Sequence, residues 1–373
     1  MTSMQRPPAR RWLAAATLAA CGSSPAPART EARHRPNPAP RASVAATFVT
    51  VATSQLVTRS SRRKPFTAYI VRYPVSTVQL RSLRTGRVIA TLLHSLGQVD
   101  AVPAPGGSVI AVASFGCRSL IYRLDPRTGR AALIRTLPET ATDISLSPDG
   151  SRLAYLTYPA RDRQSCVAEH QPARPVKEVI GPDLPQWLPS VLAVVSLATG
   201  STVRTAAPTV GDPFWDPAWS PDGRQLAAVY GGGDSPILVM PAAHPSFASA
   251  RRIRPPRHCQ YVSATWTVHG LTAVLGCGQA AAGLSPRTLV QLSAAGRPAV
   301  RWRLPACIDG VHVLTDPAAR QVLVEADTGY GNGPCGHPRG GWRVRIERVR
   351  GAALTAVASY PAWGGPSLQL TGW

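Results

Sequence analysis

The sequence predicts an all-β fold, a β-propeller of four-stranded blades, and three observations carry that expectation. A phrase is used twice: "DISLSPDGSRLAYLT" (143–157) and "DPAWSPDGRQLAAVY" (216–230) share an Asp, an apolar run, a Ser-Pro-Asp-Gly turn and a second apolar run. Degenerate copies stand at 100–114, 263–276 and 311–326, so that Gly107, Gly150, Gly223, Gly270 and Ala318 fall 43, 73, 47 and 48 residues apart. A second series of turns runs in step, with Gly86, Gly129, Gly200 and Gly296 preceding the next main turn by 21, 21, 23 and 22 residues. Self-similarity at this period marks a repeat architecture, and two hairpins per unit make a four-stranded blade.

Each element has a local reason. In the main turn Pro148 and Pro221 preset φ, Asp149 and Asp222 cap nearby N–H groups, and Gly150 and Gly223 accept positive φ. These aspartates are therefore expected to build turns, not to catalyse. The long interval between the second and third copies holds a Pro-rich insertion, 158–190. Second hairpins are expected at Gly86, Gly129, Gly200, around Ala243, at Gly296 and at Gly351, which gives six blades. The missing sixth inner strand is expected from 367–373, joining a first blade at about 66–93 and bringing Trp373 among the inner-strand residues. Such closure leaves no free edge. The stretch "TFVTVATSQLV" (47–57) is a spare strand, and with it seven blades are the alternative.

Composition agrees: 31 Gly and 37 Pro in 373 residues favour many turns over long helices. The net charge is +22, but the basic residues are spread along the chain rather than gathered in a stripe, so nucleic-acid binding is not expected. The N-terminus, residues 1–20, has a basic segment ending Arg10-Arg11 and an apolar run too short to span a bilayer, which reads as a signal peptide. Leu18-Ala19-Ala20-Cys21 resembles the lipobox of bacterial lipoproteins, which implies cleavage before Cys21 and lipidation of its thiol. Residues 21–43, rich in Pro, Ala and Arg, read as a disordered tether, leaving 44–373 for the propeller.

Setting Cys21 aside leaves six cysteines, an even set suited to an exported protein. All six fall on the propeller face that carries the long loops, opposite the short Pro-Asp-Gly turns. The expected pairs are Cys117–Cys166, Cys259–Cys277 and Cys307–Cys335. The second rests on register, because both residues lie nine positions from Val268 at the centre of a hairpin.

The Ser-Pro-Asp-Gly units resemble the WD40-like Pro-Asp (PD40) repeats of TolB-like propellers, over most of 44–373. The resemblance is strong at 143–157 and 216–230 and degenerate in the other copies. There is no room for the separate N-terminal domain of TolB, so its partnerships are not implied. Lipobox, tether and degenerate propeller together resemble actinobacterial propeller lipoproteins.

The function expected from these features is non-enzymatic binding or scaffolding, on the outer face of the bacterial cytoplasmic membrane. Its expected partner is an envelope protein or an anionic cell-wall polymer, with a lipid anchor in the membrane and a monomeric propeller. Contacts are expected from the stapled loop face, at Phe214 and Trp215 in "GDPFWD" and at Tyr330 and His337 in "DTGYGNGPCGHPRGG". No cofactor, metal or catalytic residue is expected, since the chain has no G-x-S-x-G elbow and no spaced carboxylates of a calcium loop. The alternative is a propeller hydrolase or lactonase with an axial site. Inward carboxylates and histidines at the axis would favour that alternative, and an apolar or sealed axis would favour binding.

Overall fold

Twenty-four strands form six antiparallel four-stranded sheets in a computed structural model of the chain. The structure describes residues 47–61, 68–115, 118–157, 190–209, 212–231, 234–277, 287–293, 295–304, 308–316, 318–328, 343–351, 353–361 and 367–372.

The first blade contains β1 (Thr47–Ser61), β2 (Ala68–Ser82) and β3 (Val88–Leu96). The second holds β4 (Gln98–Pro103), β5 (Val109–Phe115), β6 (Arg118–Asp125) and β7 (Arg130–Leu137). The third is β8 (Thr142–Leu146), β9 (Arg152–Thr157), β10 (Val191–Ser196) and β11 (Thr202–Ala206). In the fourth stand β12 (Phe214–Trp219), β13 (Gln225–Tyr230), β14 (Ile237–Pro241) and β15 (Arg251–Ile253). The fifth comprises β16 (Cys259–Thr267), β17 (Gly270–Cys277), β18 (Arg287–Leu292) and β19 (Pro298–Arg303). The sixth has β20 (Ile308–Thr315), β21 (Val322–Thr328), β22 (Arg343–Arg350) and β23 (Ala353–Pro361), and β24 (Ser367–Gly372) returns to the first.

Closure follows the expected route with one correction. β24 is the inner strand of the first blade, but its partner is β1, with Thr50 opposite Leu370 and Ala52 opposite Leu368. The stretch expected to be spare is therefore the second strand of that blade, and the described residues form six blades with no seventh among them. A strand left over on one side of the first hairpin supplies the paired edge that β24 needs. Trp373 lies outside the described residues, as do Cys21, the tether and most of the 158–190 insertion.

The inner strands touch in sequence around the axis: β24 with β4, β4 with β8, then β12, β16, β20 and β24 again. One apolar cluster fills each of the six blade interfaces. Alternate side chains of a strand face opposite sides of its sheet, so a blade sandwiched between two others is apolar on both. β13 reads this way, with Leu226, Ala227, Ala228 and Val229 all buried. Outer strands carry the positive charge instead: Arg251, Arg252, Arg301 and Arg303 are exposed on β15 and β19, where charge protects a strand edge from pairing.

The turns obey the chemistry read from their residues. Gly150 N–H donates to Ser147 O at 2.8 Å, with φ of 72°, and Gly223 repeats this with Ser220 O at 2.8 Å and φ of 68°. The Asp149 carboxylate accepts from the Ser147 hydroxyl and from Ser151 N–H, and these bonds hold it down at about 2. Asp222 accepts equivalently from Ser220 and Arg224. In the last repeat Ala319, not Ala318, takes the glycine position: its φ is 54° and its N–H donates to Asp316 O at 2.7 Å. The expected alignment of that copy was one residue out of step.

Candidate axial site

Counting back seven residues from the positive-φ residue of each turn gives Asp100, Asp143, Asp216, Ser263 and His312. The one-residue correction at Ala319 is what places His312, rather than Val311, in this series. Asp100, Asp143, Asp216 and His312 line one end of an axial cavity of about 170 Å³. Its walls run along the inner strands of five blades, past Ser145, Ala264, Thr265, Val313 and Trp219, to Pro105, Pro148, Pro221 and Ala319 in the main turns. The cavity thus extends toward the short-turn side of the ring, opposite the expected loop face.

Local irregularities aim the acids. β8 bulges between Thr142 and Ser145, and β12 bulges between Trp215 and Ala218. Asp143 and Asp216 sit in these bulges at φ of 48° and 49°. A bulge adds a residue to one strand and turns its side chain out of the ladder, and Asp is among the few residues that tolerate left-handed backbone. β4 pairs with β5 without a bulge, and Asp100 reaches the axis from regular strand.

The groups are bonded across blades. Asp143 N–H donates to Asp100 Oδ2 at 2.9 Å, and Val313 N–H donates to Ser263 Oγ at 3.0 Å. His312 Nδ1 lies 3.4 Å from Asp216 Oδ1, with the imidazole 40% exposed toward the cavity. Glu325, buried, is its register partner on β21. Trp219 Nε1 donates to Ser145 O at 3.0 Å, and Arg152 stands 4.7 Å over the same indole. Thr265 and Thr315 meet hydroxyl to hydroxyl at 3.2 Å.

Burial and mutual repulsion govern the charges. Burial raises the Asp100 carboxyl to about 6, against the Asp143 N–H bond and the nearby His312. Burial, with the charges of Asp100 and Asp216, raises Asp143 to about 7. For His312 burial works against the proton, but the charge and hydrogen bond of Asp216, with Glu325 and Asp143, outweigh it and hold the imidazolium to about 10. No three His, Cys, Asp or Glu side chains among the described residues are grouped closely enough to hold a metal ion.

An acid raised in the folded state contributes stability that is present below its ordinary value near 3.8 and is lost as pH rises through the folded value. Asp143→Asn should therefore match the parent at pH 4 and exceed it at pH 8. Asn keeps the shape and accepts the left-handed backbone. Because Asn also removes one of the charges supporting His312, the expected gain is about 2 kcal/mol rather than the full effect of the shift. Denaturant titrations of both proteins from pH 4 to 8 check this. Parallel pH profiles would show that Asp143 is not the titrating acid.

The residues expected to contact a ligand from the loop face are distributed differently. Phe214 is 1% exposed and packs with Tyr230 and Phe247 between the third and fourth blades, so it is core and not contact surface. Trp215 is half-buried, and its Nε1 donates across the next blade interface to Val262 O at 3.0 Å. Tyr330 and His337 lie outside the described residues. Cys259 and Cys277 stand opposite one another in register and are joined in a disulfide. Cys117, Cys166, Cys307 and Cys335 fall outside the described residues. The axial residues carried one signal in the sequence: the Asp that opens three of the five repeat copies.

No protein-family model matches the chain, and no curated protein matches it in sequence. Its fold is similar to TolB from Acinetobacter baumannii, 14% identical with a TM-score of 0.55, over 88% of this chain and 67% of that one. It is also similar to a putative TolB from Agrobacterium tumefaciens, 13% identical with a TM-score of 0.51, over 88% of this chain and 92% of that one. At these identities the likeness is one of architecture: the chain folds as a six-bladed propeller similar to these TolB structures.

Proposed function

We propose that the chain is an exported binding propeller, anchored by lipid at Cys21, that takes its ligand in the axial cavity on the Pro-Asp-Gly side. The observation that carries this reading is the cavity itself, polar at one end and walled by five blades. Few precisely placed polar groups in a preformed concave site are the usual marks of ligand recognition. A rigid ring also holds those groups without ordering any loop, which reduces the entropy cost of binding. In this reading the stapled loop face, with Cys117–Cys166 and Cys307–Cys335 as its further disulfides, faces an envelope protein or anionic polymer. The exposed arginines of the outer strands suit such a polymer.

A second reading, an axial hydrolase or lactonase, is favoured by the feature named from the sequence as its mark: carboxylates and a histidine, Asp100, Asp143, Asp216 and His312, face the axial cavity. Burial raises both Asp100 and Asp143 well above the usual carboxylate range, which brings two acids in one cavity toward the neutral range where a general acid or base works.

One experiment addresses both readings. Fractions of envelope small molecules and peptides are equilibrated with the protein, and retained and consumed compounds are followed by mass spectrometry. A variant with the cavity filled, Thr315→Trp, runs in parallel. A retained compound lost in T315W supports axial binding, and a compound converted by the parent but not by D143N supports the enzyme. Retention that survives T315W places the ligand elsewhere.

A further inference from the structure

Resting on the anionic-polymer part of the reading above and not on its axial cavity, we infer that the outer cleft between the fourth and fifth blades binds a phosphodiester polymer that carries no bases. No acid occurs between Asp234 and Asp309, a stretch that runs from β14 through β19 and holds eight arginines. Nineteen acids spread evenly over 373 residues would place several there. Charge on an outer strand protects its edge from pairing. Edge protection does not require every charge to be positive.

Register sets the arginines on the walls of the cleft. Residues paired across neighbouring strands share one face of the sheet. Arg251 pairs with Val239 on β14, and Arg301 pairs with Val290 on β18. Val239, Ile253, Val290 and Leu292 belong to the apolar cluster between these two blades, so Arg251 and Arg301 face the same cleft from its two sides. Arg303, two positions on, shares the face of Arg301. All three are exposed, beyond the apolar floor. Ile253 closes that floor against the fifth blade, where a Cβ at Gly296 would come within 2.8 Å of it.

The link from β15, outermost in its blade, to β16, innermost in the next, crosses the end of the cleft and adds exposed Arg254 and Arg257. Pro255 and Pro256 restrict its backbone, and Cys259 N–H donates to Pro256 O at 3.0 Å. Among the described residues Arg254, Arg257, Arg301 and Arg303 form no ion pair.

Unpaired guanidinium groups on a restricted backbone suit phosphate. Each presents N–H groups in one plane to two phosphate oxygens, and its charge does not titrate. Arg301 and Arg303 repeat at about 6.8 Å, the two-residue step of a strand, so they can meet successive anions of a linear chain. Bases find no surface here. Single-stranded nucleic acid is held by aromatic stacking, but Trp302 of β19 turns to the sixth blade, where its Nε1 donates to Gly351 O at 2.7 Å. A bilayer finds no anchor either, since Val300 is the one exposed large apolar side chain among the described residues of β15 and β19.

The test is titration of the full chain into a labelled abasic oligodeoxynucleotide, a bare sugar-phosphate chain, followed by fluorescence anisotropy. Oligothymidylate of equal length, alginate and phosphatidylglycerol vesicles are compared. Saturable binding of the abasic chain that weakens steeply with salt is expected, with oligothymidylate binding no tighter. Arg301→Ser combined with Arg303→Ser should weaken it by about tenfold or more, the loss of two charge-assisted contacts. Arg254→Ser with Arg257→Ser, on the link, is a second variant expected to do the same. R123S/R130S removes equal exposed charge from the second blade and should keep parental affinity, as should T315W.

Equal weakening in R301S/R303S and R123S/R130S would overturn the inference, because binding would then follow the net charge of the chain. So would tighter binding of oligothymidylate, alginate or the vesicles than of the abasic chain, or binding lost in T315W. If the abasic chain fails to bind while an envelope compound is still lost in T315W, the axial reading stands and the polymer inference falls.

Discussion

Removal of residues 367–373 is expected to lower stability by about 5 kcal/mol and to make the protein aggregate. β24 gives β1 five paired positions, from Thr53 opposite Ser367 to Val49 opposite Gly372. Alternate pairs of an antiparallel ladder exchange two hydrogen bonds each, so five paired positions carry about five bonds, and at about 1 kcal/mol net apiece their loss is of that order. The consequence spreads because β24 also touches both neighbouring inner strands, β4 and β20. Among the described residues, the interface between the sixth and first blades has a small buried cluster, Phe48, Leu323 and Ile346. Without β24 that interface keeps this cluster, the half-buried side chains around it and the Tyr360 hydroxyl bond to Gly86 O, but the inner edge of β1 becomes a free template for pairing. Five kcal/mol is a large part of the ~5–15 kcal/mol of an ordinary domain. Scanning calorimetry and light scattering on the truncated protein check this, with a deletion of 22–40 as the control expected to change neither. A truncated protein that melts with the parent would show that closure does not depend on this strand.

Phe214→Ala is expected to cost about 3–5 kcal/mol, the usual loss when a fully buried aromatic leaves a cavity. The ring lies 5.8 Å from Tyr230 and 6.3 Å from Phe247, which meet each other edge-on at 5.0 Å. Its N–H is held by Ser190 Oγ at 2.6 Å, which fixes the entry of β12 two residues before Asp216. The substitution therefore removes packing and loosens the strand that carries an axial acid. Urea titration should show a lower midpoint. A protein of parental stability that had lost only ligand binding would restore Phe214 to the contact role expected from its Gly-Asp-Pro-Phe-Trp context.

Much of the architecture could be read directly from the chain because its causes are local. Ser147-Pro148-Asp149-Gly150 and Ser220-Pro221-Asp222-Gly223 form the same hydrogen-bonded turn from their own atoms. Turns recurring at a blade-sized interval leave few alternatives to a propeller, and the period also announced that the last strand must come from the chain end. The Cys259–Cys277 bridge forms as expected but not by the expected register: the two-residue turn Val268-His269 alone would set Cys277 against Gln260, and a bulge between Tyr261 and Ser263 brings Cys259 opposite it.

The axis was not legible, and three residues show why. Asp143 and Asp216 open visible repeats, but whether such an Asp points to the axis depends on a bulge that local alternation does not reveal. His312 was obscured because Ala319 adopts positive φ without glycine, which shifted the apparent repeat by one position and so reversed the face assigned to each side chain. Phe214 looked like a loop aromatic until the neighbouring blade supplied Tyr230 and Phe247 as its surroundings. Sequence by itself determined the turns, the blade and the closed all-β ring, since these follow from hydrogen bonds within a few residues. Only the tertiary structure decided the site, because four groups on four different blades become neighbours solely when the ring closes and brings their inner strands to one axis.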